Sequence, residues 1–166
     1  MTEILGADKV RQWYTEMLEI YVDADACPVK TEILRVAERH QLTIHMVSNQ
    51  WMRIGGYPRI NRIVVPKEPD AADDWIADHI GDGDIAVTAD ILLAGRCLKA
   101  GADVMGPTGR LFDEGNIGMA IATRDLMAHL RETGDIKDNA PAFTKQDKSR
   151  FLDALENMIQ AIRRRK

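Results

Sequence analysis

Short apolar runs alternate along this chain with segments that repeat apolar residues at helical spacing. This order is typical of parallel strands joined by crossover helices. The predicted strands are residues 19–22, 42–48, 62–66, 84–88 and 102–107. The predicted helices are residues 30–40, 70–80 and 89–101, a fourth between Asn116 and Gly134, and a last one capped by Thr144. The sequence therefore predicts an α/β fold with three layers, α/β/α, and a mainly parallel five-stranded sheet.

The residue types predict three further features of these elements. Pro28 suits the first position of the first helix, where its missing N–H would be unpaired anyway. The continuous apolar run of residues 62–66 predicts a strand buried on both faces. The last helix should pack on the sheet through an apolar stripe of Phe151, Leu152, Leu155, Met158, Ile159 and Ile162.

Composition places the chain among ordinary soluble domains. It has 166 residues, 45% of them hydrophobic and 29% charged, with no apolar run of membrane-spanning length. Cys27 and Cys97 form no CxxC motif, which favours a reducing compartment, so we expect a cytoplasmic protein without a membrane partner. The net charge of -4 argues against non-specific coating of nucleic acid, although bound divalent cations would offset it locally.

The strand signal begins only just after Met17. We therefore predict that Met17 is the native start, that residues 1–16 are an N-terminal extension dispensable for folding, and that residues 17–166 form a single domain.

Aspartates follow three of the predicted strands. Asp23 and Asp25 come after the first strand, Asp70 and Asp73 begin the helix after the third, and Asp90 follows the fourth. Because the carboxyl ends of parallel strands meet at one edge of a sheet, we expect these acids to lie close together.

The helix that carries Asp73 has an apolar stripe of Ala72, Ile76 and Ile80. At about 100° per residue, Asp73 lies roughly 60° from the centre of that stripe and Asp74 about 160° away. Asp73 is therefore expected to lean inward and Asp74 to face water.

Clustered carboxylates repel one another unless cations or protons neutralise them. Hard divalent ions prefer oxygen ligands, so we predict that Mg²⁺ or Mn²⁺ binds to Asp23, Asp73 and Asp90 and supports hydrolysis of a phosphodiester. Each aspartate also has an ordinary structural interpretation, as a helix cap or turn former or as a charge favoured at a helix N-terminus.

Four polar residues are candidates for binding substrate at the same edge: Lys30, Ser48, Asn49 and Thr88. Lys30 has a solvated alternative, Ser48 and Asn49 are common loop formers, and Thr88 could instead support Asp90. Cys27 is interpreted as a packing residue. The four histidines show no ligand spacing, and the basic C-terminal RRRK suits either nucleic acid or the helix dipole.

Several long motifs resemble one family. They are VDADACPVK, the D-x-x-D of Asp70 and Asp73, GDIAVTADILLAGRCLKAGADV, NIGMAIATRDLMAHLR and FTKQDKSRF. The chain resembles the uncharacterised bacterial YaiI/YqxD family, related to PIN-like nuclease domains, over about residues 20–162. This resemblance implies a PIN-type parallel sheet that binds Mg²⁺ or Mn²⁺ through Asp23, Asp25, Asp70, Asp73 and Asp90. PIN-like nucleases often add an acid beyond the last strand; Asp113 is the nearest candidate, but it lies outside the matched pattern.

The favoured function is a metal-dependent nuclease that acts on RNA in preference to DNA. A haloacid-dehalogenase-like phosphatase is an alternative, with Asp23 as nucleophile and Asp25 as general acid. In such phosphatases threonine or valine usually stands where this chain has Cys27. A third alternative is a nucleic-acid-binding module without catalysis.

Overall fold

A computed structural model of the chain describes residues 18–137 and 142–165. Its strands are β1 (Glu19–Asp23), β2 (Thr43–Ser48), β3 (Ile60–Val64), β4 (Ile85–Val87), β5 (Asp103–Met105) and β6 (Leu111–Phe112). Its helices are α1 (Lys30–His40), α2 (Ala71–His79), α3 (Ile91–Lys99), α4 (Ile117–Glu132) and α5 (Lys145–Arg165). The predicted start at Met17 and the extension of residues 1–16 lie outside the described residues. No helix in the described part is both long and apolar enough to span a bilayer.

The strands form one sheet in the order β3-β2-β1-β4-β5-β6. All neighbouring pairs are parallel except β5 and β6, which are antiparallel. The α/β class and the mainly parallel sheet are confirmed, but the prediction of five strands is wrong because β6 adds a sixth. A turn of residues 106–109 reverses the chain before β6, and the Gly109 N–H donates to the Gly106 carbonyl at 3.0 Å.

Helices cover both faces of the sheet, which confirms the three-layer arrangement. On one face, α1 and α5 pack against the sheet through Ile33, Val36, Phe151, Leu155, Ile159 and Ile162. On the other face, α2, α3 and α4 pack through Ile76, Leu93, Ala94, Cys97 and Ala120. The predicted apolar stripe of α5 is confirmed, since four of its members are at most 1% exposed and Leu152 and Met158 pack beside them.

The prediction that the third strand is buried on both faces is wrong. β3 is the edge strand, it begins at Ile60, and the Val64 side chain is 55% exposed. Within this apolar run, the buried residue is Val65, which lies just beyond the end of the strand. An edge strand has a neighbour on one side only, so apolar composition alone does not reveal its position.

Pro28 does not begin α1, contrary to the expectation. It lies in a turn, and the helix starts at Lys30. Ala26 adopts a left-handed conformation with φ of 59°, and the Cys27 N–H donates to the Ala24 carbonyl at 3.3 Å. This turn uses the residues that would otherwise have formed the first helical turn.

β1 lies between β2 and β4, where the connections change direction. The chain leaves β1 towards α1 on one face of the sheet and leaves β4 towards α3 on the other. In open α/β sheets, such a switch point opens a crevice at the carboxyl ends of the strands. Asp23 ends β1 and Asp90 follows β4, so two predicted acids lie beside this crevice.

Candidate functional site

Thr88 connects the two strands at the switch point. Its Oγ1 donates to Asp23 Oδ2 at 3.0 Å and accepts a hydrogen bond from the Asp90 N–H at 3.0 Å. The Thr88 side chain is buried, with 2% exposure. Its hydroxyl therefore fixes the Asp23 carboxylate relative to the start of α3, and a direct role for Thr88 in substrate binding stays a prediction.

Asp90 caps α3. Its Oδ1 accepts hydrogen bonds from the N–H groups of Leu92 at 2.9 Å and Leu93 at 3.2 Å. The interpretation of Asp90 as a helix cap is therefore confirmed. Because both capping bonds use the same oxygen, capping is compatible with cation binding through the other one.

Asp73 lies inward in the first turn of α2. Burial raises its pKa to about 7, and the Asp90 carboxylate contributes next, through its charge and through hydrogen bonding. The charges of Asp23 and Asp70 add to the same effect. Asp74, in contrast, is exposed and pairs with Arg96 at 2.8 Å. The predicted orientations of Asp73 and Asp74 are both confirmed.

Asp23 experiences the same repulsion. Burial raises the pKa of its carboxyl group, and the charges of Asp90 and Asp25 raise it further. The hydrogen bond from Thr88 acts in the opposite direction. Asp23, Asp73 and Asp90 therefore form a group of mutually repelling acids, which we call the acidic rim.

Asp25 has a different environment from Asp23. The Ser48 hydroxyl donates to Asp25 Oδ1 at 2.6 Å, and the Asn49 N–H donates to Oδ2 at 3.0 Å. Ser48 is 3% exposed, and its Oγ also accepts from the Gln50 N–H at 3.1 Å. Asp25 and Ser48 thus anchor the loop that follows β2, while binding of substrate by Ser48 or Asn49 stays a prediction.

Asp70 and Lys30 lie at the periphery of this edge. Asp70 is exposed, precedes α2 in a left-handed conformation with φ of 68°, and makes no side-chain cap bond. Lys30 is half-buried in the first turn of α1, close enough to Cys27 for its charge to lower the pKa of that thiol. Burial outweighs this influence and raises the Cys27 pKa, in keeping with a packing role.

Asp113 belongs to a separate turn. Its Oδ1 accepts from the Asn116 N–H at 2.8 Å, and its own N–H donates to Asn116 Oδ1 at 2.9 Å. Asn116 precedes α4 as expected, but its side chain bonds back to this turn and not to the helix. Asp113 is not among the charges that raise the pKa of Asp23 or Asp73.

Whether the acidic rim fits a metal depends on how many ligands the protein must supply. In residues 18–137 and 142–165, no three acidic, histidine or cysteine side chains are arranged to hold an ion by themselves. Mg²⁺ often takes only one or two carboxylates and completes its shell with water and substrate phosphate. Asp73 and Asp90 fit such a hydrated ion better than they fit an enclosed cage, and Thr88 links Asp23 to the backbone of Asp90.

The acidic rim lies at the carboxyl edge of the sheet. A cavity of about 760 Å³ lies between the turn before β6 and the start of α5, and is lined in part by Thr108, Arg110 and Arg150. None of the predicted acids lines it. Sequence reasoning overlooked another residue in the loop that follows β2: Trp51, two residues beyond Asn49, is 69% exposed. The available signal was an aromatic residue directly after the polar end of a strand.

A sequence profile described as "Uncharacterized BCR, YaiI/YqxD family" matches residues 21–161. The chain belongs to the YaiI/YqxD family. The match includes all five predicted acids, Asp23, Asp25, Asp70, Asp73 and Asp90. The proposed relation of YaiI/YqxD proteins to PIN-like nucleases stays a prediction.

Curated relatives agree with this assignment. The chain is 59% identical to a UPF0178 protein of Parvibaculum lavamentivorans over 90% of its own length and 98% of the relative. It is 55% identical to a UPF0178 protein of Rhodospirillum rubrum over 89% of the chain and 99% of the relative. No solved structure matches the chain. These comparisons identify the family and leave its activity open.

Proposed function

We propose that this YaiI/YqxD protein is a Mg²⁺- or Mn²⁺-dependent phosphodiester hydrolase that cleaves nucleic acid, RNA in preference to DNA. The observation that carries the proposal is Asp73, whose pKa is raised to about 7 beside Asp90 and Asp23 at the switch point. Carboxylates whose charges raise one another's pKa are unfavourable together unless a proton or a cation neutralises them.

The acidic rim would hold the ion through Asp73 and Asp90, with Asp23 as a further carboxylate linked to Asp90 through Thr88. Such an ion supplies an activated water and stabilises negative charge on the phosphate. Thr88 holds the Asp23 carboxylate in place, and the capping bonds of Asp90 fix its Oδ1.

The geometry favours this mechanism over the phosphatase alternative. A general acid at Asp25 would need an oxygen directed at the substrate, yet its two oxygens already accept hydrogen bonds from the Ser48 hydroxyl and the Asn49 N–H. Trapping an acyl-phosphate on Asp23 would nevertheless support the phosphatase. A binding module without catalysis is distinguished by its failure to cleave in the presence of metal.

The test combines calorimetric titration with Mn²⁺ and cleavage of labelled RNA, single-stranded DNA and duplex DNA. Asp73→Asn and Asp90→Asn should each weaken Mn²⁺ binding at least tenfold and lower the cleavage rate by two orders of magnitude or more, on the order expected for loss of metal ligands. Asp74→Asn is the matched control, because Asp74 is adjacent in sequence but faces solvent.

Equal effects of the Asp73 and Asp74 substitutions would contradict the proposed site. A protein that binds Mn²⁺ but cleaves none of the three substrates would contradict the hydrolase and favour the binding module.

A further inference from the structure

The loop between β2 and β3 is fixed to the protein at its far end. Met52, Ile54 and Tyr57 pack against the core. The Tyr57 hydroxyl donates to the Leu42 carbonyl at 2.6 Å, and Arg62 donates to the Ile54 carbonyl at 2.7 Å. Alternate residues in this extended segment therefore face inward.

The residues between the inward-facing positions point to solvent. Trp51 is 69% exposed, and Arg53 is also exposed. Within residues 18–137 and 142–165, the Trp51 indole N–H has no hydrogen-bonding partner. A single exposed aromatic residue is not unusual in itself. What distinguishes Trp51 is the way in which the start of its loop is held.

Asp25 holds that start through the two hydrogen bonds to Ser48 and Asn49. The Cα atoms of Asn49 and Trp51 can be at most about 7 Å apart, because two residues extend no further. Asp25 itself lies two residues after Asp23. The same side chain therefore ties the loop with the exposed indole to the strand end that supplies the acidic rim.

We infer that Trp51 and Arg53 form a binding subsite for an unpaired nucleotide beside the acidic rim, with the indole stacking on the base and the guanidinium meeting a phosphate. Aromatic side chains bind single strands in this way because every base has a flat face, and arginine neutralises the backbone. The inference rests on the proposed function, since it names the form of nucleic acid that the hydrolase takes.

The subsite would determine which form of nucleic acid binds and would give Asp25 a positioning role. Bases within a duplex are already stacked on their neighbours, so the subsite selects single-stranded regions over paired ones. Asp25 becomes a positioning residue, which holds the loop and does not need to contact the metal.

Binding can be measured apart from cleavage by fluorescence anisotropy in EDTA. The probes are a labelled oligouridylate, an oligothymidylate of the same length and a duplex. Trp51→Ala should raise the Kd for both single strands by about 5- to 100-fold, the range for loss of one stacked base, and Trp51→Phe should restore most of the affinity. Arg53→Ala should weaken both complexes and reduce the slope of the logarithm of the binding constant against the logarithm of salt concentration by about one.

Met119→Ala on α4 is the control, because Met119 is 73% exposed and lies outside both the rim and the loop. Melting curves of all variants verify the fold; the exposure of Trp51 predicts no loss of stability. Wild-type protein that fails to bind single strands, or a Trp51→Ala variant that binds them as tightly as wild type, overturns the subsite.

The two proposals fail in different ways. If cleavage depends on metal but single-strand binding does not depend on Trp51, the hydrolase proposal is retained and the subsite is contradicted. Trp51-dependent binding in EDTA without cleavage in Mn²⁺ would retain the subsite and remove the hydrolase.

Discussion

Thr88 shows how one buried hydroxyl can organise a group of acids. It donates to Asp23 and accepts from the Asp90 backbone, and so spans the boundary between β1 and α3. Sequence patterns could place Thr88 at the end of a strand. They could not decide whether its side chain contacts substrate or supports Asp90. That choice depends on which strand lies beside β4, and this is a property of the folded sheet.

Thr88→Val should test this support directly. Valine preserves the shape but leaves the partly buried Asp90 N–H without its acceptor, so we expect a loss of about 1–3 kcal/mol in unfolding free energy. Urea denaturation at neutral pH measures the effect. Thr88→Ser retains the hydroxyl and should recover most of the loss; equal stability of the valine and wild-type proteins would contradict the role.

Asp73 predicts a pH dependence of stability in metal-free protein. Its pKa is raised to about 7 in the folded state, so between the ordinary aspartate pKa near 4 and about pH 7 the folded protein holds a proton that the unfolded chain releases. This contribution to stability is complete below about pH 4 and is lost as the pH rises through 7.

Asp73→Asn should therefore match wild type at or below about pH 4 and exceed its stability by about 1 kcal/mol at about pH 8, after allowance for solvent screening. Urea denaturation in EDTA at both pH values measures this. Added Mn²⁺ should stabilise wild type more than the variant at the higher pH. A variant that is less stable than wild type at about pH 8 in EDTA would show that Asp73 makes favourable contacts there.

Among the acids, sequence reasoning predicted the shared edge but not the separate roles. Asp23 and Asp25 look equivalent in the motif, yet Asp25 bonds to Ser48 and Asn49, over twenty residues away. Such partners depend on the pairing of β1 with β2, where Asp23 lies opposite Val47. The orientation of Asp73 was predictable because helical geometry is local.

At the level of elements, long periodic segments were predicted well and short or peripheral ones poorly. α5 carries a stripe over several turns, and Thr144 begins it in a reciprocal pair of hydrogen bonds with Asp147, at 2.9 and 3.1 Å. β6 has two residues, too few for any alternation to show. β3 is apolar but lies at the edge, because strand order is set by connections and not by composition.

Gly109 lies where the turn before β6 meets α5. Its φ is +87°, and a Cβ atom there would be 2.8 Å from the Arg150 carbonyl oxygen. Gly109→Ala should destabilise the protein by about 1–3 kcal/mol, through backbone strain and displacement of the turn from the helix. Thermal unfolding followed by circular dichroism measures the loss.

Gly118→Ala is the matched control, because Gly118 lies in α4 with no atom within 4 Å of the added methyl group. It should be neutral or stabilising, since alanine favours a helix. Similar losses for both glycines would contradict the close approach at Gly109.

Across the whole molecule, α5 is attached to the rest of the fold by charged contacts as well as by its apolar stripe. Glu156 contacts Arg39 at 2.7 Å and His40 at 2.8 Å. Further along the helix, Arg163 donates to the His40 carbonyl at 3.2 Å and Arg165 pairs with Asp103 at 2.6 Å. Two arginines of the basic C-terminus thus have partners within the protein, which weakens their interpretation as a nucleic-acid contact.

Glu156→Gln should weaken this attachment. Hydrogen bonding from His40, and then from Arg39, lowers the pKa of Glu156 to about 2 despite some burial. Its contribution to stability is therefore present above the ordinary glutamate pKa and is lost as the pH falls through about 2. We expect a loss of about 1 kcal/mol at neutral pH, modest because the pair is partly exposed.

Unfolding free energies between about pH 7 and pH 3 should show the gap between wild type and Glu156→Gln narrowing as the pH falls. Asp153→Asn, on the exposed side of the same helix, serves as control. A gap that stays constant over this range would point to lost packing instead of lost charge.

The acidic rim combines residues from a central strand and from a less buried helix. Asp23 ends β1, which has a strand on either side, whereas Asp73 is carried by α2, where Ile76 is the buried residue. A helix with a single buried residue can open locally at lower cost than a central strand, while the sheet stays intact. Amide hydrogens of α2 should consequently exchange with solvent much faster than those of β1, and a bound cation would slow the first group while leaving the second unchanged. We therefore expect the acidic rim to open and re-form through local motion of α2, without global unfolding of the protein.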